Sequence, residues 1–175
     1  EQVISSLKDF SDYCEKNKSN QIECFEKFKF SSLELTKKWW EIWQNNKLNK
    51  SFLELVTNVF EVYLKHEGTF YNDSKSRFAY AELLFQSENF NKAAIQYQKV
   101  SEYAQIDSDL KHSSLYSALF SIEKANESQT TSSQSKVNSD KVNTDWQLKL
   151  SERFLSEFPK SEHLNEVRFK TAFLY

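Results

Sequence analysis

Two neighbouring stretches in the middle of the chain carry apolar residues at steps of three and four, separated by the polar segment Ser87-Glu88-Asn89. These apolar residues are Phe78, Ala81, Leu84 and Phe85 in the first stretch, and Phe90, Ala93, Ala94, Tyr97, Val100 and Ala104 in the second. Such steps place side chains on one face of an α-helix. The pattern therefore predicts an antiparallel helical hairpin over about 74–105.

Helical periodicity continues on both sides of this hairpin. It predicts further hairpins at about 1–30, 32–66 and 108–158, and an unpaired helical segment at 160–175. A helix break is expected near Ser31 and Ser32, because either one followed by Glu34 fits an N-terminal capping box. A second capping box, Ser51 with Glu54, predicts the start of the next helix.

The segment 125–143, ANESQTTSSQSKVNSDKVN, is almost free of apolar residues. A segment of this composition buries too little apolar surface to offset the entropy lost on ordering. It predicts a disordered insertion between the two helices of the hairpin at 108–158.

Composition narrows the fold class further. The 175 residues include one Gly and one Pro, whereas sheet-rich folds need turn residues at nearly every reversal. We therefore expect an all-α protein.

The net charge of −2 is spread over interspersed acids and bases, which argues against nucleic acid as a partner. No apolar run is long enough to span a bilayer, and no signal peptide is visible. Because Met is absent even at position 1, we expect a processed or excised form.

The central hairpin resembles the tetratricopeptide repeat, whose period is about 34 residues. The resemblance is carried by small and large residues in alternation around a polar turn, at Ala81, Leu84, Phe90, Ala93, Tyr97 and Val100. An internal repeat supports it, since YLKHEGTFYNDSKSRFAYAELLF is followed near the end of the chain by FLSEFPKSEHLNEVRFKTAFLY. The resemblance implies a right-handed α-solenoid of about four to five hairpins. We divide it into divergent, Trp-rich hairpins at 1–66 and tetratricopeptide-like repeats at 67–175.

The phrase FLSEFPKS is similar to the joint between repeats in bacterial envelope tetratricopeptide scaffolds, of the outer-membrane barrel assembly lipoprotein type and of the Tol-system periplasmic type. This resemblance covers about 52–124 and 145–175. It implies a non-enzymatic scaffold for protein–protein interaction in an envelope assembly, secretion or motility complex, located in the periplasm or cell envelope. Two alternatives stay open: the superhelical non-catalytic region of a larger cell-wall enzyme such as a lytic transglycosylase, and a cytoplasmic adaptor.

In tetratricopeptide arrays the first helix of each hairpin lines a concave groove. The resemblance therefore implies a peptide-binding groove in which the carboxylates of Glu82 and Glu123 select a basic residue. The groove residues are Phe78, Glu82, Phe85, Tyr116, Phe120 and Glu123. The alternative is that Phe85 and Phe120 pack between repeats. If the groove binds a partner, that partner is another protein, held through a peptide or a helical segment.

Three Trp residues fall within five positions, at Trp39, Trp40 and Trp43. On a helix Trp39 and Trp43 share a face, and Trp40 is turned aside. Trp40 is thus a candidate surface anchor for a partner, although packing in the core is the commoner role of such residues.

The two cysteines, Cys14 and Cys24, flank a predicted turn and could face each other across antiparallel helices. A disulfide there indicates an oxidising compartment, and two buried free thiols are the alternative.

No residue pattern indicates catalysis, a metal or a cofactor. His66, His112 and His163 are isolated near predicted helix ends, where capping contacts are common. The single Gly cannot build a phosphate-binding loop or a nucleophile elbow. We expect no enzyme activity, no cofactor and no metal site.

Overall fold

The computed structural model describes residues 2–103, 105–130 and 137–174, and their side chains except those of 129–130 and 137–143. Regular secondary structure in these ranges is helical, apart from an isolated β-bridge between Glu67 and Tyr71. The helices are α1 (Gln2–Lys16), α2 (Gln21–Asn45), α3 (Lys50–Leu64), α4 (Ser74–Gln86), α5 (Phe90–Ser101), α6 (Ser108–Thr130), α7 (Val137–Glu157) and α8 (Leu164–Ala172). For this part of the chain the all-α prediction is confirmed.

The chain divides into two compact units, Glu1–Asp73 and Ser74–Tyr175. We predicted a division after residue 66, seven residues earlier. Residues 67–73 belong to the first unit because the ring of Phe70 stacks on Phe25 and the ring of Tyr71 stacks on Tyr63. Two aromatic contacts of this kind hold the segment against the helices that precede it.

In the first unit, α1, α2 and α3 each pack on the other two. The apolar steps of α1 bury Ile4, Leu7 and Cys14 on one face. Side chains from α2 and α3 complete the core, and the largest of these fully buried ones are Phe25, Phe28, Trp43, Val56, Phe60 and Tyr63.

The predicted break at Ser31 and Ser32 is wrong, because α2 runs through both residues. Ser32 is buried, and its hydroxyl donates to the carbonyl of Phe28 at 2.8 Å, four residues back in the same helix. That bond satisfies the hydroxyl without an N-cap, so nothing locally ends the helix. The first unit consequently contains three helices and not the predicted two hairpins at 1–30 and 32–66.

The start of α3 also differs from the prediction. Its N-cap is Asn49, whose side-chain oxygen accepts from the backbone N–H of Phe52 at 3.4 Å. Asn is as good an N-cap as Ser, so the helix begins slightly earlier in the chain than the pair of Ser51 and Glu54 suggested. After α3, Gly68 takes the left-handed conformation, with φ +84°, and its N–H donates to the carbonyl of Tyr71.

The second unit has a simple order, in which each of α4, α5, α6 and α7 packs on the next helix along the chain. The predicted hairpin at 74–105 corresponds to α4 and α5, and Ala104 lies outside the described residues. Between them Glu88 takes a left-handed conformation, with φ 63°, and the N–H of Asn89 donates to the carbonyl of Leu84. This closes the last turn of α4.

Side chains also connect helices of this unit that are separated by one helix in the sequence. Phe85 of α4 stacks on Phe120 of α6, and the indole N–H of Trp146 in α7 donates to Gln98 of α5 at 2.6 Å. The guanidinium of Arg153 in α7 donates to the carbonyl oxygen of Ser101 at 2.9 Å. These contacts link α4 to α6 and α5 to α7 across the helix that separates each pair in sequence.

Two helices extend into the predicted insertion at 125–143, and its disorder stays a prediction. Helix α6 continues to Thr130 and α7 begins at Val137, while 131–136 lie outside the described residues. Ala125 is buried, and the amide of Asn126 donates to Gln147 of α7 at 3.3 Å. Ser, Asn and Thr have only modest helix propensity, but the segment lacks Gly and Pro, and packing against a neighbouring helix supports the first turns of the extension.

Candidate functional site

The α4 part of the predicted groove is occupied by contacts to α5. Phe78 lies edge-on to Tyr97, with ring centroids 5.3 Å apart. Tyr97 in turn donates a hydrogen bond from its hydroxyl to the carboxylate of Glu82. Burial, together with this bond to Glu82, raises the pKa of Tyr97 well above its usual range. Phe78 and Glu82 therefore hold the two helices of one hairpin together.

Phe85 connects this hairpin to the next. Its ring lies 5.2 Å from Phe90 and 5.6 Å from Phe120, measured between centroids. Phe120 keeps 37% of its surface exposed, and the ammonium of Lys124 lies 5.5 Å from its ring centroid. Phe120 is thus the most accessible of the six predicted groove residues, and it is next to the half-buried Phe85.

Tyr116 and Glu123 of α6 contact α8. The hydroxyl of Tyr116 donates to Glu166 at 3.0 Å, and the ammonium of Lys170 donates to Glu123 at 2.7 Å and to Glu166 at 2.6 Å. Partial burial by itself lowers the pKa of Lys170, but the hydrogen bonds and charges of these two carboxylates raise it overall. The hydrogen bond from Lys170 is also the main reason why the pKa of Glu166 lies below its usual value.

Histidines extend this junction between α6 and α8. The ring of His163 stacks on Tyr116 with centroids 3.8 Å apart, and its Nδ1 lies 3.8 Å from Glu166. His112 Nε2 lies 2.7 Å from the hydroxyl of Ser161. The cavity at the junction has a volume of about 10 Å³, too small for a ligand. The side chains around it meet one another and leave no room for a ligand.

Sequence reasoning missed the partners in this junction. Glu166 and Lys170 lie four residues apart on α8, which is the spacing of an ion pair on one helix face, and that spacing was the available signal. Their contacts to Tyr116 and Glu123 join residues about fifty positions apart. No local pattern indicates such a pairing.

The candidate anchor Trp40 lies in the first unit and is half-buried. Its ring lies edge-on to Trp43 and to Phe60, at 6.4 Å between centroids in each case. Trp43 is fully buried, and its indole N–H has no hydrogen-bond partner among the described residues. Ile22 and Phe30 of α2 are more exposed than Trp40.

Cys14 of α1 and Cys24 of α2 form a disulfide, with Cα atoms 5.4 Å apart. Both residues are buried. The bond spans the turn at residues 17–20 and joins α1 to α2, the first two helices of the unit.

His66 lies in the same core and is 4% exposed. Its Nε2 is hydrogen-bonded to the hydroxyl of Ser11, its Nδ1 lies 3.4 Å from Glu15, and its ring lies 4.8 Å from that of Phe25. Burial lowers the pKa of His66, and the charge of Lys65 adds to this, while Glu15 and Asp12 oppose it.

Helices α1 and α3 border two open clefts of about 520 Å³ and 400 Å³, which share Lys8 and Asn58 in their linings. Acidic and basic side chains are mixed there, including Asp12, Glu61 and Lys65. Sequence reasoning did not single out this surface, because its lining residues are ordinary polar positions of two amphipathic helices.

Among the described residues, no group of three or more His, Cys, Asp or Glu side chains is arranged to hold a metal ion. In the same part of the chain, no helix combines the length and the apolar character that a bilayer crossing requires. Comparisons with protein-family models, with curated proteins and with solved structures gave no match. The tetratricopeptide resemblance therefore stands on the residues of this chain alone.

Proposed function

We propose that the chain is a non-enzymatic scaffold that binds other proteins, and that its second unit is a tetratricopeptide-like α-solenoid. The observation that carries this proposal is the packing order of α4 to α8. Each helix packs on the next, and side chains connect α4 to α6, α6 to α8 and α5 to α7. Nearest-neighbour packing with a regular second-neighbour contact is typical of stacked helical hairpins.

The binding surface in this proposal is the face on which α4 and α6 present Phe85, Phe120 and Tyr116. Phe120 is its centre because it is exposed and lies against another aromatic ring. An exposed aromatic residue with apolar neighbours is a common anchor in protein interfaces. The carboxylates of Glu82 and Glu123 already hold other side chains of this unit, so we assign recognition to the aromatic rings and not to charge selection. The partner is an extended or helical segment with apolar side chains.

The disulfide between Cys14 and Cys24 supports an oxidising compartment, since such bonds are rare in the cytosol. Together with the resemblance to envelope scaffolds, it supports the periplasm or cell envelope as the location in this proposal. It disfavours the cytoplasmic adaptor.

The proposal is tested by affinity capture from an envelope extract, with the purified chain and two variants as baits. Phe120→Ala removes the exposed ring, and Ile95→Ala removes a side chain of similar exposure, 42% against 37%, from α5. We expect proteins captured by the parent chain and by Ile95→Ala to be depleted at least tenfold with Phe120→Ala. Equal capture by all three baits would mean that this surface does not bind partners. Phe78 and Tyr116 are less suitable targets, because both pack against other helices.

A further inference from the structure

The chain contains four Asn-x-Ser sequons, the acceptor motif of N-linked glycosylation, and these lie at Asn17, Asn49, Asn72 and Asn126. Such motifs also arise by chance in a chain rich in Asn and Ser. A glycan is bulky and hydrophilic, so its acceptor lies at the surface, in backbone that a transferase can bind. The structure separates the four sequons by this criterion.

All four sequons lie within the described residues, and the one at Asn17 alone lies wholly outside helices. Residues 17–20 form the turn between α1 and α2, where the backbone N–H of Asn20 donates to the carbonyl of Asn17 at 3.3 Å. Lys18 and Ser19 are exposed. The hydroxyl of Ser19 donates to the side-chain oxygen of Asn17 at 2.9 Å, so the hydroxyl that defines the motif lies beside the acceptor carboxamide.

The nitrogen that carries the sugar in such a linkage is also close to the surface. Nδ2 of Asn17 donates to the hydroxyl of Tyr13 at 3.2 Å, and Tyr13 is 60% exposed. A carboxamide nitrogen has two hydrogens, so replacing one by a sugar leaves the other for this bond. The first sugar then begins beside an exposed aromatic ring and not inside the core.

The disulfide between Cys14 and Cys24 supplies an independent argument. It ties the last turn of α1 to the first turn of α2, so the sequon stays at the tip of this helical hairpin. Disulfides persist in oxidising compartments, and N-linked glycans are added to secreted proteins, which pass through compartments of that kind. A chain that acquires this bond therefore meets the conditions in which glycosylation occurs.

Two of the other sequons are built into helix contacts. Asn49 caps α3 by accepting from the N–H of Phe52, and Ser51 of its sequon lies in the first turn of that helix. Asn126 lies within α6, and its Nδ2 donates to the buried Gln147 of α7 at 3.3 Å. A sugar on that nitrogen would begin between two packed helices.

Asn72 is exposed, but the rest of its sequon is tied to the fold. The carboxylate of Asp73 accepts from the hydroxyl of Tyr63 at 2.8 Å, and the backbone N–H of Asp73 donates to Glu67 at 3.2 Å. Ser74 already lies in α4. A transferase would have to break these bonds and unwind the start of the helix, whereas the turn between α1 and α2 requires no helix to unwind.

We propose that Asn17 is an N-linked glycosylation site, whose donor is an oligosaccharide carried on a polyprenyl diphosphate. In the transfer, Nδ2 of Asn17 forms a bond to the anomeric carbon of the first sugar. The bond from that carbon to the diphosphate oxygen breaks, the diphosphate leaves with the bonding electrons, and one amide proton passes to a base of the transferase. The assignment uses the turn and the disulfide, and it does not depend on the scaffold function proposed above.

Mass spectrometry of the chain recovered from its source cells tests the assignment. An endoproteinase that cleaves after Glu releases the Asn17 sequon in peptide 16–23, which contains no cysteine, and places each of the other three sequons in a different peptide. We expect peptide 16–23 to carry a sugar mass, at an occupancy at least tenfold higher than that of any other sequon peptide. An unmodified peptide 16–23, or a sugar found mainly on another sequon, overturns the proposal.

Variants expressed in the same cells show which atoms matter. Asn17→Gln removes the acceptor and Ser19→Ala removes the hydroxyl of the motif, so both are expected to abolish the modification. Ser19→Thr keeps the hydroxyl and is expected to keep the sugar. Asn20→Gln changes an exposed Asn of the same turn that lies outside a sequon, and is expected to leave the occupancy unchanged. A sugar that persists in Asn17→Gln or in Ser19→Ala contradicts N-linked transfer at this motif. Circular dichroism verifies that every variant is folded.

Discussion

Phe85 of α4 and Phe120 of α6 stack with ring centroids 5.6 Å apart and planes inclined by 29°. The contact joins two neighbouring hairpins, and Phe120 remains partly exposed while it packs on Phe85. Packing between hairpins and exposure at the surface are therefore not alternatives at this position. One ring does both.

This stacking predicts an energetic coupling. In a double-mutant cycle with Phe85→Leu and Phe120→Leu, we expect a coupling of about 0.5–1.5 kcal/mol in the free energy of unfolding, beyond the loss of apolar area. Urea denaturation measures it. The control cycle combines Phe85→Leu with Phe169→Leu, which are not in contact, and is expected to be additive within about 0.5 kcal/mol. Equal values in both cycles would mean that the stacking contributes nothing specific.

The hydroxyl of Tyr97 predicts a second stability effect. Tyr97→Phe leaves the half-buried carboxylate of Glu82 without its donor, so we expect a loss of about 1–3 kcal/mol in the free energy of unfolding. Tyr13→Phe makes the same chemical change at a side chain that is 60% exposed, and is expected to change stability by less than about 0.5 kcal/mol. If the two variants are equally stable, the bond to Glu82 does not support the hairpin.

The disulfide closes a short loop, since Cys14 and Cys24 are ten residues apart. In the chain-entropy account, opening a loop of this length costs about 2–3 kcal/mol of stability. We expect a reducing agent to lower the free energy of unfolding of the parent chain by that amount and to leave the double variant Cys14→Ala with Cys24→Ala unaffected. A parent chain indifferent to reduction, with free thiols detected in its native state, would rule out the bond.

His66 predicts a dependence of stability on pH. Its pKa in the folded chain is lowered by burial below the ordinary value of 6.5, so the unfolded chain binds a proton near pH 6.5 that the folded chain does not. Stability from this group is complete above pH 6.5 and is lost as the pH falls toward the folded pKa. We expect the free energy of unfolding to decrease from about pH 7.5 to 5.5, a range above the titration of ordinary carboxylates.

The control for His66 is the variant His66→Asn, which keeps the other two histidines. It is expected to be less stable than the parent chain at about pH 7.5 and to show a much weaker dependence on pH over the same range. Chemical denaturation at a series of pH values measures both slopes. An unchanged slope in the variant would assign the effect to other groups.

Much of the second unit follows from local sequence. The apolar residues on both sides of Ser87 to Asn89 recur at steps of three and four, and this spacing predicts α4 and α5. It does so because the residues that define the helical pattern and the polar turn all lie within the segment itself. The Ser31 and Glu34 pattern failed for the opposite reason. A hydroxyl can cap a helix or bond to the carbonyl four residues back, and the burial of Ser32 on α2 selects the second.

By itself, the sequence determined that the chain is helical, where most of its turns lie, and which residues are apolar enough to pack. Only the tertiary structure decided the use of the candidate groove residues: Glu82 bonds Tyr97, Tyr116 bonds Glu166, and Glu123 bonds Lys170. It also decided that Phe169 and Phe173 of α8 are exposed while Phe78 of α4 packs on Tyr97. The reason is physical. Periodicity fixes which side of a helix is apolar, but which other helix meets that side depends on contacts between residues far apart in the chain.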